Sequence, residues 1–340
     1  MRFGPVRLAE AQGAVLAHSV ATRAGRLRKG TVLTAAIIET LRSQRLETVI
    51  VARLEPGEIG EDEAARRVGT ALLGRDRGLR AAPATTGRTN LYAATGGLLD
   101  IDRDAVDALN AIDPAITLAT LPEHQLVRSG TMVATVKIIP FGVALRCVER
   151  AERMMQEVWP IAVRSPLGIR VSLIQTTLPS VKESVLDKTA MRLEERLTRC
   201  GGSLLGEARV AHEASAVSRA LAALGEATSG DDRDVVVLFG ASALCDPLDV
   251  LPAGLTDAGG TVSALGMPVD PGNLLMLGRF GGRMVIGAPG CARGPALNGF
   301  DWVLNRVAHG CHIGADAIAR MGVGGLLKEM ADRPHGREAG

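Results

Sequence analysis

The chain has 340 residues, 46% of them hydrophobic, which is length and apolar content enough for two domains with a core each and excludes a disordered or fibrous protein. Lysine and arginine total 39 against 37 acidic residues, and aromatic residues make up only 2%, so neither a basic nucleic-acid face nor a base-stacking platform is expected. Cys147, Cys200, Cys245, Cys291 and Cys311 are odd in number and scattered without a CxxC pair, so neither a disulfide framework nor a zinc site follows; no segment has signal-peptide or membrane-spanning character, and the cytoplasm is the expected location.

In chain order, the helical spacing of Thr34 to Gln44 predicts a helix, and Glu47 to Ala52 a short strand. A polar stretch containing Gly74, Gly78, Pro83 and Gly87 reads as a loop or hinge. Beyond it the sequence predicts a helix capped at Asp102, the β-branched run Thr131 to Ile139 closed by Pro140, and an amphipathic segment from Val148 to Met155. The first half, 1–158, is therefore α+β in character.

From Trp159 and Pro160 onward, strand and helix alternate regularly over 159–330, with 331–340 as a tail. Ile169 to Thr177 reads as a strand. The next helix opens with Ser180 and Glu183 in capping-box spacing, carries Val181, Val185, Leu193 and Leu197 on one stripe, and stops at Gly201 and Gly202. A helix from Ala214 to Leu224 ends at Gly225. Asp234 to Gly240 is a nearly continuous apolar run of the kind buried on both faces, which predicts an α/β domain: a parallel sheet with helices on each side, a three-layer αβα arrangement. Short strands follow at Thr261 to Leu265, Leu274 to Leu277 and Met284 to Gly287. A last core helix after Pro295 displays Phe300, Val303, Leu304 and Val307.

Ligands of open α/β sheets bind beyond the carboxyl ends of the strands. Four segments there are candidates. Gly240 to Pro252 offers the small residues Gly240 and Ala241, the Ser242 hydroxyl, and two carboxylates, Asp246 and Asp249, whose spacing suits Mg²⁺ beside a phosphate. An ordinary strand-to-helix loop with capping aspartates explains the same residues. Gly266 to Asn273, with Pro271, Gly272 and Asn273, and Gly287 to Pro295, with Pro289, Gly290 and Arg293, are rigid proline-glycine loops, and Arg293 can supply a charge-assisted contact to an anion. Thr176 and Thr177 end the first strand, with Lys182 and Lys188 beyond them; a solvated helix face accounts equally for the lysines. Cys291, His212, His309 and His312 receive no role. No GxGxxG turn joins a strand to a helix, which argues against a dinucleotide enzyme.

The series VSLIQTT (171–177), VVVLFGASALCDPLDVLPAGL (235–255) and GGTVSALGMPVDPGNLLMLGRFGGRMVIGAPGCARGPALNGFDWVL (259–304) resembles the molybdopterin-binding domain of molybdopterin adenylyltransferases and molybdenumtransferases. It is most similar to the pterin-binding part of bacterial proteins joined to a molybdenum cofactor cytidylyltransferase domain. The likeness takes in VRLAEAQGAVLAHS, TNLYAATGGLLD, GTMVATVKIIPFGV and MGVGGLLKEM, and so nearly the whole chain. It implies molybdopterin, or its adenylylated form, bound at Thr176, Thr177, Gly240 to Ser242, Pro271 to Asn273, Pro289, Gly290 and Arg293. It implies Asp246 and Asp249 as metal ligands or catalytic groups for Mg²⁺ and molybdate. A cytidylyltransferase or molybdoenzyme chaperone as partner, and dimers or trimers, are implied likewise. The family's loop after the buried strand reads with two glycines and a nearer aspartate, whereas this chain has Gly240, Ala241 and Ser242 with a longer step to Asp246. No nucleotidyltransferase triphosphate loop is read in the chain, so cytidylyl transfer is not expected from it alone.

Overall fold

In the computed structural model residues 1–23, 25–74, 77–225 and 233–327 are described, and the chain divides into two units, Met1–Val163 and Arg164–Gly340. The expected tail 331–340 and the last residues of MGVGGLLKEM lie outside the described residues.

The first unit is α+β. Its first helix forms at Ala35–Arg42, where the Thr34 hydroxyl accepts the Ile37 amide, and buries Ile38 and Leu41 against Leu16, Val49 and Val51. Those residues belong to a small antiparallel sheet in which Thr48–Arg53 runs between Arg2–Arg7 and Val15–Leu16. A larger core joins helices Glu61–Leu73 and Leu145–Glu157 to an antiparallel sheet ordered Ile116–Thr120, Met132–Ile138, Arg88–Ala93, Leu79–Ala81. The stretch expected as a loop or hinge contains the last of these strands, because Leu79–Ala81 pairs with Arg88–Ala93 around the turn. Helix Glu61–Leu73 has no counterpart among the expected elements: its buried stripe is Ala64, Ala65, Val68 and Leu72, and alanine carries little hydrophobic signal. Asp102 caps Arg103–Asn110 as expected, its carboxylate accepting the Ala105 amide at 3.0 Å. Strand Ile161–Arg164 lies beside Gly97–Ile101, so the first unit runs to Val163 rather than ending near Trp159.

The second unit is built on a six-stranded sheet in the order Ser203–Ala211, Arg170–Thr177, Asp234–Phe239, Arg283–Ala288, Met276–Phe280, Thr261–Leu265. The first four strands are parallel and Met276–Phe280 is antiparallel to both its neighbours, which makes the sheet mixed where the sequence predicts a parallel one. The hairpin through Gly281 and Gly282 reverses the chain there, both glycines having positive φ. Alternate residues of the central strand feed opposite faces. Val235, Val237 and Phe239 meet Leu193 and Leu197 of helix Glu183–Arg199 and Phe300, Val303 and Leu304 of helix Gly299–Ala308. Val236 and Leu238 meet Val217 and Leu221 of helix Ala214–Ala223 and Leu251 and Leu255 of helix Val250–Asp257. Each such side chain buried contributes about 1.5–3 kcal/mol, and helices therefore cover both faces.

Three expectations change in detail. The capping box at Ser180 and Glu183 does not form: Lys182 is the N-cap, no side chain caps it, and the buried stripe is Leu186, Thr189, Leu193 and Leu197, with Val185 outside. The Leu274 to Leu277 strand begins two residues later, at Met276. The loop drawn to Pro252 ends at Asp249, since Val250–Asp257 is helical.

Candidate functional site

One register row crosses the whole sheet: Ala208, Ile174, Leu238, Gly287, Met276 and Leu265 pair in turn. Everything a few residues past this row lies at one edge. That edge holds Thr176 and Thr177, His212, Gly240 to Ser242, the Pro289 to Arg293 turn, and the Gly266 to Asn273 loop. Between Arg170–Thr177 and Asp234–Phe239 the following helices leave for opposite faces of the sheet, which makes this pair the topological switch point. These segments are distributed along that one edge of the six strands.

Arg293 has the most distinctive surroundings. Its Nη1 donates to Gln175 Oε1 at 3.0 Å and Thr189 Oγ1 at 2.6 Å, Nη2 donates to the Gly240 carbonyl at 3.1 Å, and the guanidinium lies 5.0 Å from the Phe239 ring centre. Every one of these partners is neutral. A guanidinium carries five N–H donors, and three bonds to protein leave two for a ligand. Burial pushes its pKa down, as expected of a cation with no carboxylate to offset desolvation. Gln175, fully buried, is fixed by donating to the Leu186 carbonyl and to Glu207, which aims its oxygen at Arg293.

Arg196 plays the opposite part. It is buried against Asp301 at 2.8 Å and donates to the carbonyls of Ala292, Gly294 and Ala296, clamping the loop that carries Arg293 to helix Glu183–Arg199. The same Asp301 closes a capping box with Asn298 at the start of Gly299–Ala308, and the Gly299 amide donates to the Pro271 carbonyl. That helix terminus is therefore satisfied internally. Gly272 fits only as glycine: its φ is +138°, and a Cβ there would lie 2.5 Å from the Gly299 nitrogen. Asn273 closes its loop by donating to the Met267 carbonyl at 3.2 Å.

The two aspartates shape their own loop. Asp249 Oδ2 accepts the amides of Cys245 and Asp246 at 2.6 and 2.8 Å, and these two bonds hold its carboxyl below the usual aspartate value. Asp246 Oδ1 accepts the Leu248 amide at 2.8 Å. One oxygen of each carboxylate remains uncommitted. Among the described residues no three His, Cys, Asp or Glu side chains are grouped as a metal site.

Four polar groups line up across the ends of three strands. The Thr176 hydroxyl accepts the Ala241 amide at 2.8 Å and lies 2.8 Å from His212 Nδ1; His212 Nε2 lies 2.8 Å from Ser242 Oγ. Thr177 instead donates to the Val210 carbonyl. In the sequence His212 reads first as a surface or satisfied side chain, and the strand before it, Ser203–Ala211, is a largely exposed edge strand without an apolar run to mark it. Its nine residues between the Gly201–Gly202 stop and the helix at Ala214 are the available signal. Lys182 and Lys188 are exposed, Cys291 is exposed, and His309 is buried with Nδ1 2.7 Å from the Asn305 carbonyl.

Solved structures this chain is similar to include molybdenum cofactor biosynthesis proteins. One is molybdenum cofactor biosynthesis protein B, 17% identical over 43% of this chain and 96% of that one, with a TM-score of 0.30. A molybdenum cofactor biosynthesis protein from Pyrococcus furiosus is 11% identical over 92% of this chain and 66% of its own length, TM-score 0.24. The molybdopterin biosynthesis MoeA protein from Pyrococcus horikosii is 12% identical over 90% and 75%, TM-score 0.29. Residues 5–53, which contain the Ala35–Arg42 helix and most of its small sheet, match a family described as a domain of unknown function (DUF8806). No curated protein matches the chain. No helix among the described residues is long and apolar enough to cross a membrane.

Proposed function

We propose that the Arg164–Gly340 unit binds molybdopterin, or its adenylylated form, at the carboxyl edge of its sheet during molybdenum cofactor biosynthesis. The observation that carries this reading is the half-buried Arg293 guanidinium, held by three neutral acceptors with two donors left over, at a switch point rimmed by small residues. Such a cation favours an anionic ligand, and charge-assisted bonds to it contribute about 1.5–3 kcal/mol. The resemblance of the surrounding loops to the molybdopterin-binding domain supplies the ligand class. The pterin phosphate lies on Arg293 and the Gly240 to Ser242 turn, with Pro271 to Asn273 as the opposite wall.

The residues also fit Mg²⁺ in the manner hard cations accept, two carboxylate oxygens completed by water and a ligand phosphate. Asp246 and Asp249 would hold it, and it would supply charge neutralisation between phosphate and molybdate if the protein inserts the metal. A second reading, a carrier that delivers the pterin to a cytidylyltransferase or a molybdoenzyme chaperone, is favoured by the engagement of Asp249 Oδ2 with two backbone amides. A carrier uses the same edge without catalytic carboxylates.

Equilibrium binding of molybdopterin, quantified by pterin fluorescence after oxidation, tests the common ground. Wild-type protein is expected to bind, and Arg293→Gln to bind about tenfold to a hundredfold more weakly. Absence of binding, or equal affinity in the variant, would defeat the proposal. Incubation of bound pterin with molybdate and Mg²⁺, assayed by reconstitution of an apo-molybdoenzyme, separates insertion from carriage. Active cofactor formation lost in Asp246→Ala or Asp249→Ala identifies a molybdenumtransferase; binding without turnover identifies a carrier.

A further inference from the structure

We propose that Thr176, His212 and Ser242 form a hydrogen-bonded relay with a fixed direction. In it His212 is a positioning residue that presents the Ser242 hydroxyl as a hydrogen-bond donor to a phosphate oxygen of the ligand. The inference rests on the anion-site reading above and deepens it by naming a second contact beside Arg293.

Proton bookkeeping sets the direction. Thr176 is fully buried, and its hydroxyl has one proton and two lone pairs. The Ala241 amide occupies one lone pair at 2.8 Å, and the only other partner among the described residues is His212 Nδ1, also at 2.8 Å. A buried hydroxyl proton without an acceptor is costly, so the Thr176 proton goes to Nδ1. A neutral imidazole that accepts at Nδ1 carries its proton on Nε2. That N–H donates to Ser242 Oγ at 2.8 Å. The serine proton then points away from the imidazole. Within the protein its acceptor is the Ala243 carbonyl at 3.4 Å, well beyond the roughly 2.7–2.8 Å of a good O–H···O bond. Ser242 is exposed, so a ligand oxygen can replace that weak acceptor.

The opposite polarity, with Nε2 taking the serine proton as a general base, places a proton on Nδ1. Thr176 would then hold two donors on its two lone pairs, and its own buried proton would have no acceptor. The geometry therefore selects a donor serine over a nucleophilic one. It also explains how an exposed side chain is kept in one rotamer: the chain of bonds ends on a buried threonine that anchors the Gly240 to Ser242 turn through the Ala241 amide.

Two measurements on the full chain test the relay. The first is ¹⁵N NMR of the ligand-free protein labelled at its histidine ring nitrogens, with His212 assigned by His212→Gln. Above neutral pH it is expected to show the Nε2–H form; a protonated Nδ1 overturns the relay. The second is a double-mutant cycle on binding of inorganic phosphate. Ser242→Ala and His212→Phe are each expected to weaken it about tenfold, the double variant to be no weaker than either single one, and His212→Gln, which restores an N–H near Nε2, to recover part of the loss. Additive losses, absence of phosphate binding by wild type, or rapid labelling of Ser242 by a fluorophosphonate each overturn the proposal. Phosphate binding with the expected cycle but no molybdopterin binding defeats the pterin reading alone. Molybdopterin binding unaffected by Ser242→Ala or His212→Phe defeats the relay alone.

Discussion

Asp249 shows how one carboxylate can serve a loop before it serves a ligand. Its Oδ2 gathers the amides of Cys245 and Asp246, and this lowers its pKa relative to the unfolded chain. A carboxyl with a depressed folded-state pKa contributes stability that is fully present above its unfolded value, about 4, and is lost as pH falls through the folded value. Asp249→Asn keeps an acceptor but removes the titration. The urea midpoint of wild type is expected to exceed that of the variant by a constant margin from about pH 8 to pH 5, and the margin to shrink below about pH 4. A margin that does not change with acidification would show that the two amides do not depend on the charge. Arg293, by contrast, is a half-buried cation whose partners among the described residues are neutral, and it is this side chain, not Asp249, on which the proposed anion contact rests.

The helix Glu183–Arg199 does two jobs through residues on one stripe. Leu186, Leu193 and Leu197 seat it on the sheet, while Thr189 meets Arg293 and Arg196 clamps the loop that carries Arg293. Breaking a buried ion pair by removing one partner leaves the other charge uncompensated, at a cost of about 3–5 kcal/mol. Arg196→Met is expected to destabilise the second unit by that amount, because Asp301 and three carbonyls lose their donor. Urea unfolding followed by Trp302 fluorescence in a Trp159→Phe background reports on this unit alone. A loss under about 1 kcal/mol would place the pair among those that merely break even. The same variant is expected to weaken molybdopterin binding, since the Gly290 to Arg293 turn loses its anchor.

Among the described residues each unit has buried clusters of its own. Buried side chains of Met1–Val163 cluster among themselves, as do those of Arg164–Gly340. A fragment of residues 165–340 is therefore expected to unfold cooperatively and to retain the full chain's affinity for molybdopterin. Affinity lost in a fragment that folds, as judged by circular dichroism, would show that residues before 165 contribute to the site. At 163 residues the first unit is also long enough to bury a core of its own.

How much of this was legible in the sequence follows from where the apolar pattern is strong. Asp234–Phe239, Arg170–Thr177 and Gly299–Ala308 are buried on their sheet or helix faces, so local hydrophobicity places them, and small residues, glycine and proline mark the candidate ligand loops after Asp234–Phe239, Thr261–Leu265 and Arg283–Ala288. Helix Glu61–Leu73 and strand Ser203–Ala211 escaped, one because alanines line its stripe, the other because an edge strand keeps its polar residues in water. Which side chains meet was decided by tertiary structure. Parallel register across three strands brings His212 to 2.8 Å from Thr176 on one side and 2.8 Å from Ser242 on the other, and Arg293 reaches Gln175 from 118 residues away. Composition and periodicity fix what a segment buries, because burial is a local average over side chains; they carry no term for the register between strands. The sequence by itself determined an α/β unit with anion-suited loops at the ends of its strands. The sheet decided that those loops share one edge, that Arg293 stands there on neutral partners, and that a histidine with no assigned role lies between two hydroxyls.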